Sequence, residues 1–270
     1  MKIAYLLLAV AATACHPAAD TKVPAAASQP PLAATPASSA DSLSPATRAL
    51  LTEYNLAPLW ANRAEGKAAH SPMEGFFGAE PYRISFYFSS VERDPARLNV
   101  FQVVGLDRYK KVITPFTGTI TVRDIVPFTD SMDVDAPDST ARPFTAVGRF
   151  VLREDPATRG AGNYAGEALL DFYYDAHGRL DQAGYLDGVL NPTKGCGLLF
   201  RGSQVSNKTG RRQPVAFANF YGAVVPRALE KLGLGDRSEE VNPNLAHFGW
   251  NEAWENEEWW AQSPKPRLSL

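Results

Sequence analysis

Cysteine is almost missing from this chain. Cys15 and Cys196 are the two among 270 residues, too few for a disulfide framework. Charge of one sign is lacking as well. Lys and Arg number 27 against 29 Asp and Glu, a formal net charge of −2. Such balance gives no general affinity for nucleic acid. No apolar run reaches the roughly 18–20 residues of a membrane-spanning helix. Familiar catalytic signatures are absent too: there is no G-x-S-x-G elbow and no H-E-x-x-H. Gly160-Ala161-Gly162, followed by Gly166, lacks the spacing and the Lys-Ser/Thr of a phosphate loop. Turn chemistry, by contrast, is plentiful. The 21 prolines and 20 glycines argue against a helical bundle and for strands joined by turns. The length predicts one or two domains with ample material for a core.

The N-terminus reads as an export signal. Lys2 precedes an apolar run from Ile3 to Ala14, the size of a secretory h-region and too short to span as a mature helix. Ala12, Thr13 and Ala14 then lead to Cys15. This stretch resembles the lipobox of bacterial lipoproteins, with Ala12 where leucine is usual. The resemblance implies cleavage before Cys15 and acyl chains on its thiol and new N-terminus. An ordinary secretory peptide cut after Ala14 would instead leave Cys15 unmodified. The globular part also resembles uncharacterised bacterial lipoproteins, which implies no activity.

The segment after Cys15 suits a tether. Residues 16–40 hold nine Ala, five Pro, three Ser and two Thr, a composition unable to bury enough surface to offset its ordering entropy. Extended, it spans up to roughly 80 Å. Loss of Lys2 leaves 26 basic against 29 acidic residues, a charge of −3. Membrane attachment therefore falls to the lipid alone, and several acyl chains hold far more firmly than one. Residue 16 is His rather than Asp, which by lipoprotein sorting habit implies the outer membrane. The absence of an acidic run after Cys15 favours the periplasmic face. The expected organisation is a signal peptide at 1–14, a lipidated Cys15 and linker over 15–42, and one β-rich domain over 43–270.

In that domain Ser44 and Pro45 open a short helix through Tyr54. Period-two alternation then takes over. Ile84, Phe86 and Phe88 alternate with Arg83, Ser85, Tyr87 and Ser89. Phe116, Gly118, Ile120 and Val122 alternate with threonines and Arg123; Gly148, Phe150 and Leu152 with Arg149, Val151 and Arg153. Further strands are expected at 100–104, 164–175, 179–187, 197–201 and 214–221, with a hairpin turn at Asp175-Ala176-His177-Gly178. Some eight antiparallel strands predict a mainly β fold, an antiparallel sandwich or open barrel. Short helices are expected at Val225–Leu232 and, helical or irregular, from Trp250 to Gln262.

Candidate sites are sparse. The acidic loop with Asp130, Asp133, Asp135 and Asp138 offers the oxygen ligands calcium prefers. It lacks the glycine and distal Glu of an EF-hand, and an ordinary solvated loop has the same composition. Trp250, Trp254, Trp259 and Trp260 lie among carboxylates near the C-terminus. Exposed, they would stack on sugar rings; buried, they would strap the terminus onto the sheet. His70, His177 and His247 lack metal-site spacing, and Cys196 reads as a structural thiol. The sequence thus predicts a lipid-anchored envelope protein, a non-catalytic binding or structural module with an envelope protein or glycan partner and no cofactor. The alternative is a glycan-binding protein or glycan hydrolase, the latter needing two carboxyls from different strands about 5–10 Å apart.

Overall fold

Alternating side chains build nine strands among the described residues. The computed structural model describes residues 43–63, 70–128, 140–183, 193, 195–226, 246–250 and 259–261. All fall within the compact unit Ser39–Leu270; the other unit, Met1–Ser38, lies outside the described residues. Cys15, Asp130, Asp133, Asp135, Asp138 and Trp254 also lie outside them. The strands are β1 (Met73–Phe77), β2 (Tyr82–Arg93), β3 (Val100–Tyr109), β4 (Val112–Pro127), β5 (Arg142–Glu154), β6 (Gly162–Tyr174), β7 (Leu180–Gln182), β8 (Leu198–Ser206) and β9 (Arg212–Ala218).

The fold is mainly β, and its sheet closes. Strand order is β5-β4-β3-β2-β1-β9-β8-β6-β7, and β5 also pairs with β6. Eight strands, all but the short β7, therefore form a closed antiparallel barrel in which chain neighbours are sheet neighbours. This corrects the expectation of a sandwich or an open barrel. Local alternation is the same in all three architectures. What decides is the pairing of β1 with β9, far along the chain, and that of β6 with both β5 and β8.

Small barrels need sharp strand coiling, and glycine provides it. Gly166 of β6 lies opposite Gly202 of β8. A Cβ on Gly166 would sit 2.6 Å from the Gly202 Cα and 2.2 Å from the Arg201 carbonyl oxygen. Any side chain there would force the two strands apart.

Phenylalanine fills the lumen. Phe86 stacks on Phe217 with centroids 3.8 Å apart, and Phe217 on Phe200 at 4.7 Å. Phe88 and Phe150 meet Phe200 edge-on at 5.5 and 5.4 Å. Each such pair adds about 0.5–1.5 kcal/mol beyond its buried area. On the outer face Thr117, Thr119 and Thr121 are half-buried, and Arg123, Arg149 and Arg153 are exposed. This distribution is the reverse of a membrane-spanning barrel, which is apolar outside. No helix among the described residues is long and apolar enough to cross a membrane.

Two short helices close one end. Ser44 caps α1 (Pro45–Glu53) by accepting from the Thr47 N–H, with Pro45 in the first turn. α2 (Ala57–Trp60) comes directly after it. Leu51, Leu56, Leu59 and Trp60 join the core, and the Trp60 ring lies 6.0 Å from Phe200. Thr47 Oγ1 donates to Asp124 Oδ1 at 2.6 Å, and Gln182 Nε2 to the Leu59 carbonyl at 2.7 Å. These bonds fix the helices to the far end of β4 and to β7.

The C-terminal helices are not found where described. A 3-10 turn covers Tyr221–Val224, and Val225 leaves it extended. Residues 227–232 and 251–258 lie outside the described residues, and turns occupy 247–250 and 259–261. The expected strand at 179–187 is described only as β7.

Candidate ligand site at the barrel mouth

The lumen changes character toward the open end. Inward positions on β3 run Phe101, Val103, Gly105, then Asp107. On β5 they run Gly148, Phe150, Leu152, then Glu154. The alternation that points the apolar residues inward thus points two carboxyls inward as well. Tyr164 of β6, Gln204 of β8 and Gln213 of β9 complete a polar layer above the phenylalanines. A cavity of about 550 Å³ opens over this layer, lined also by Phe77, Tyr109, Thr114 and Ser206.

Asp107 and Glu154 form its floor. Both residues are buried, and their carboxyls lie close enough to interact directly. Glu154 Oε2 accepts from the Gly162 N–H and from Gln204 Nε2, each at 2.6 Å. Its Oε1 accepts a long bond from the Tyr164 hydroxyl at 3.4 Å. Asp107 Oδ2 meets no N–H or O–H donor among the described residues. The simplest account is a shared proton, with Asp107 the acid and Glu154 the carboxylate. Burial raises both carboxyls, and the charge of Glu154 pushes Asp107 well above the ordinary carboxylate range. The donors to Glu154 pull its value back but do not overcome burial. Burial, then the nearby carboxyls, push the Tyr164 hydroxyl far up. The floor therefore holds donors, the Tyr164 hydroxyl and the Gln204 amide, beside the acceptor carboxyl of Glu154.

Basic residues ring the opening. Lys110, Arg159 and Arg211 line the cavity and are exposed. Lys110 and Lys111 form the two-residue β3–β4 turn, and both are left-handed, φ 49° and 66°. That is the type I′ geometry in which Asn-Gly is usual. The Lys110 ammonium lies over Tyr82 and Tyr109, at 4.9 and 5.4 Å from their centroids.

The tryptophans sit elsewhere. Trp250 is buried on the outer wall, 5.3 Å from Phe76, with the Arg83 guanidinium 5.8 Å from its ring. Beneath it Arg83 pairs with Glu74 at 2.8 Å, and Ser85 donates to Glu74 at 2.6 Å. Trp259 is buried too, and Trp260 stacks on Tyr87 at 4.9 Å. The buried indoles of Trp250 and Trp259 offer no face to a sugar and pack against the barrel instead. Cys196 is buried against Leu169, Leu199 and Ala218. No group of three His, Cys, Asp or Glu among the described residues could hold a metal ion.

Sequence reading missed Asp107 and Glu154, although a signal was present. Each is an acid at the inward parity of an otherwise apolar alternation. The architecture is an eight-stranded up-and-down barrel, plugged at one end and polar at the other. No family model matches the chain, and neither a curated protein nor a solved structure matches it.

Proposed function

We propose that this chain is a lipid-anchored binding protein of the bacterial envelope, taking a small polar ligand into the barrel mouth. The carrying observation is the cavity of about 550 Å³ floored by the buried carboxyls of Asp107 and Glu154. Its volume lies in the range of small-molecule sites, roughly 300–1,000 Å³. A layer of apolar side chains would fill the same positions without the cost of desolvating two carboxyls. The lipobox-like stretch ending at Cys15 supports anchoring, and the Ala/Pro-rich segment after it supports a tether. The outer membrane, facing the periplasm, is the location this reading carries.

A hydrolase fits the site less well. Paired glycosidase carboxyls stand about 5–10 Å apart, with room for water or a sugar carbon between them. Asp107 and Glu154 instead interact directly, each among the groups that shift the other's titration. Binding is tested by a small-molecule thermal-shift screen of the wild type against Ser206→Trp, which fills the cavity. Ligands that raise the wild-type Tm and leave the variant unmoved support the reading. A screen in which both respond alike, or neither responds, defeats it. Anchoring has its own test. Cys15→Ala should release the protein from membranes, and globomycin should leave an unprocessed precursor; a variant still in the membrane pellet contradicts the anchor.

A further inference from the structure

The mouth is not neutral. Lys110, Arg159 and Arg211 face two carboxyls, so cations outnumber any anionic charge there. Most exposed Arg and Lys on this barrel have no special meaning. These three differ because they converge on one cavity. Neither Arg159 nor Arg211 has an ion-pair partner among the described residues. Lys110 is held on its two tyrosines by a turn that is strained for lysine. Strained backbone persists where the surroundings over-determine it, and such places cluster at ligand clamps.

The deeper layer has a different chemistry. It offers an acid, a carboxylate and two amides, a set that both donates and accepts. Hydroxyl groups, which do both as well, match such a lining. Phe77 and Tyr109 add apolar ring surface at its side. One ligand class meets all these demands together: a polyhydroxylated ring carrying an acidic group.

We infer that the barrel mouth binds an anionic saccharide, its hydroxyls directed to Asp107, Glu154, Gln204 and Gln213 and its carboxylate or phosphate to Arg159, Arg211 and Lys110. This rests on the mouth being a binding site, and it adds the ligand class. Charge-assisted bonds to guanidinium are the stronger kind, but at an exposed rim they are screened by salt.

The test is calorimetric titration of the full chain in detergent with glucuronate, galacturonate, N-acetylneuraminate and glucose 6-phosphate. Glucose and inorganic phosphate serve as controls. At least one acidic sugar should bind, more weakly as salt rises, and at least tenfold more tightly than glucose or phosphate alone. Arg159→Ala and Arg211→Ala should each weaken it about tenfold. Both residues are exposed, so unchanged circular dichroism and Tm should accompany the loss. Equal binding of glucose would overturn the role of the rim, and equal binding of phosphate would overturn the sugar. Acidic-sugar affinity untouched by either arginine variant would also overturn the inference. If no sugar binds while other compounds still give a Ser206→Trp-sensitive shift, the ligand class is wrong and the binding reading stands. If nothing gives such a shift, both fall.

Discussion

Replacing Asp107 by asparagine tests the shared proton directly. Asparagine has the same shape and can donate an N–H to Glu154, so the contact survives without a titrating group. In the wild type the Asp107 carboxyl lies well above its ordinary value, because it is buried and faces Glu154. The folded protein therefore holds that proton more tightly than the unfolded chain. Its contribution is full below the unfolded value, about 4, and is lost as pH rises toward the folded value. Wild-type stability should thus lose up to about 1.4 kcal/mol per pH unit through this group above pH ~4. Asp107→Asn does not titrate and loses nothing there. The variant should match the wild type near pH 4 and gain on it steadily up to the folded value. The contributions of carboxyls outside the Asp107–Glu154 pair cancel in the difference. Urea unfolding between pH 4 and 8 at fixed ionic strength measures it. Parallel stability curves for the two proteins would refute the reasoning, since Asp107 would then titrate alike folded and unfolded.

Glu154→Gln keeps an amide oxygen toward the Gly162 and Gln204 donors but makes both bonds neutral, and should cost about 1–3 kcal/mol in denaturant unfolding. Lys110→Asn with Lys111→Gly relieves two left-handed lysines and should stabilise by roughly 1–2 kcal/mol, while lowering acidic-sugar affinity in titration; a destabilised double variant would deny the turn strain. Arg83→Met leaves Glu74 without its ion-pair partner under Trp250 and should cost about 3 kcal/mol, most of it recovered in Arg83→Met/Glu74→Met; equal Tm values for single and double variants would count against the pair. Trp60→Ala removes the largest side chain of the helical plug and should cost about 3–5 kcal/mol, read as a fall in the urea midpoint.

Much of the wall was legible because parity is local. Ile84, Phe86 and Phe88, and then Phe116, Ile120 and Val122, point inward as their alternation predicts. The Ser44 cap and the Asp175–Gly178 turn are also set by neighbouring residues: Asp175 Oδ1 accepts from the His177 and Arg179 N–H groups. β1 was missed because its pattern is broken at both faces. Gly75 leaves an inward position without a side chain, and Phe76, pointing outward, is buried under Trp250. Closure was illegible for a different reason. It rests on pairings such as Phe77 with Val215, and nothing near either residue states its partner. The Trp-rich segment misled because exposure is not encoded in composition. A ring beside carboxylates looks wet until a β1 residue covers it.

The two ends of the barrel obey one rule applied twice. A closed sheet satisfies its backbone around the wall but leaves each end of the lumen open to water. At the α1 end that opening is stopped with Leu51, Leu56 and Trp60, so apolar side chains meet apolar side chains. At the other end the inward positions turn polar one layer before the strands finish. A plug there would have to satisfy Asp107, Glu154 and Gln204, whereas water or a polar ligand does so without further structure. The Phe116 and Phe86 rings just below keep the floor in low dielectric, which strengthens any hydrogen bond made on it. An occupant that excludes water from the mouth would extend that low dielectric upward. It would hold the Asp107 proton still more firmly, so ligand affinity should weaken as pH rises through the titration of the pair.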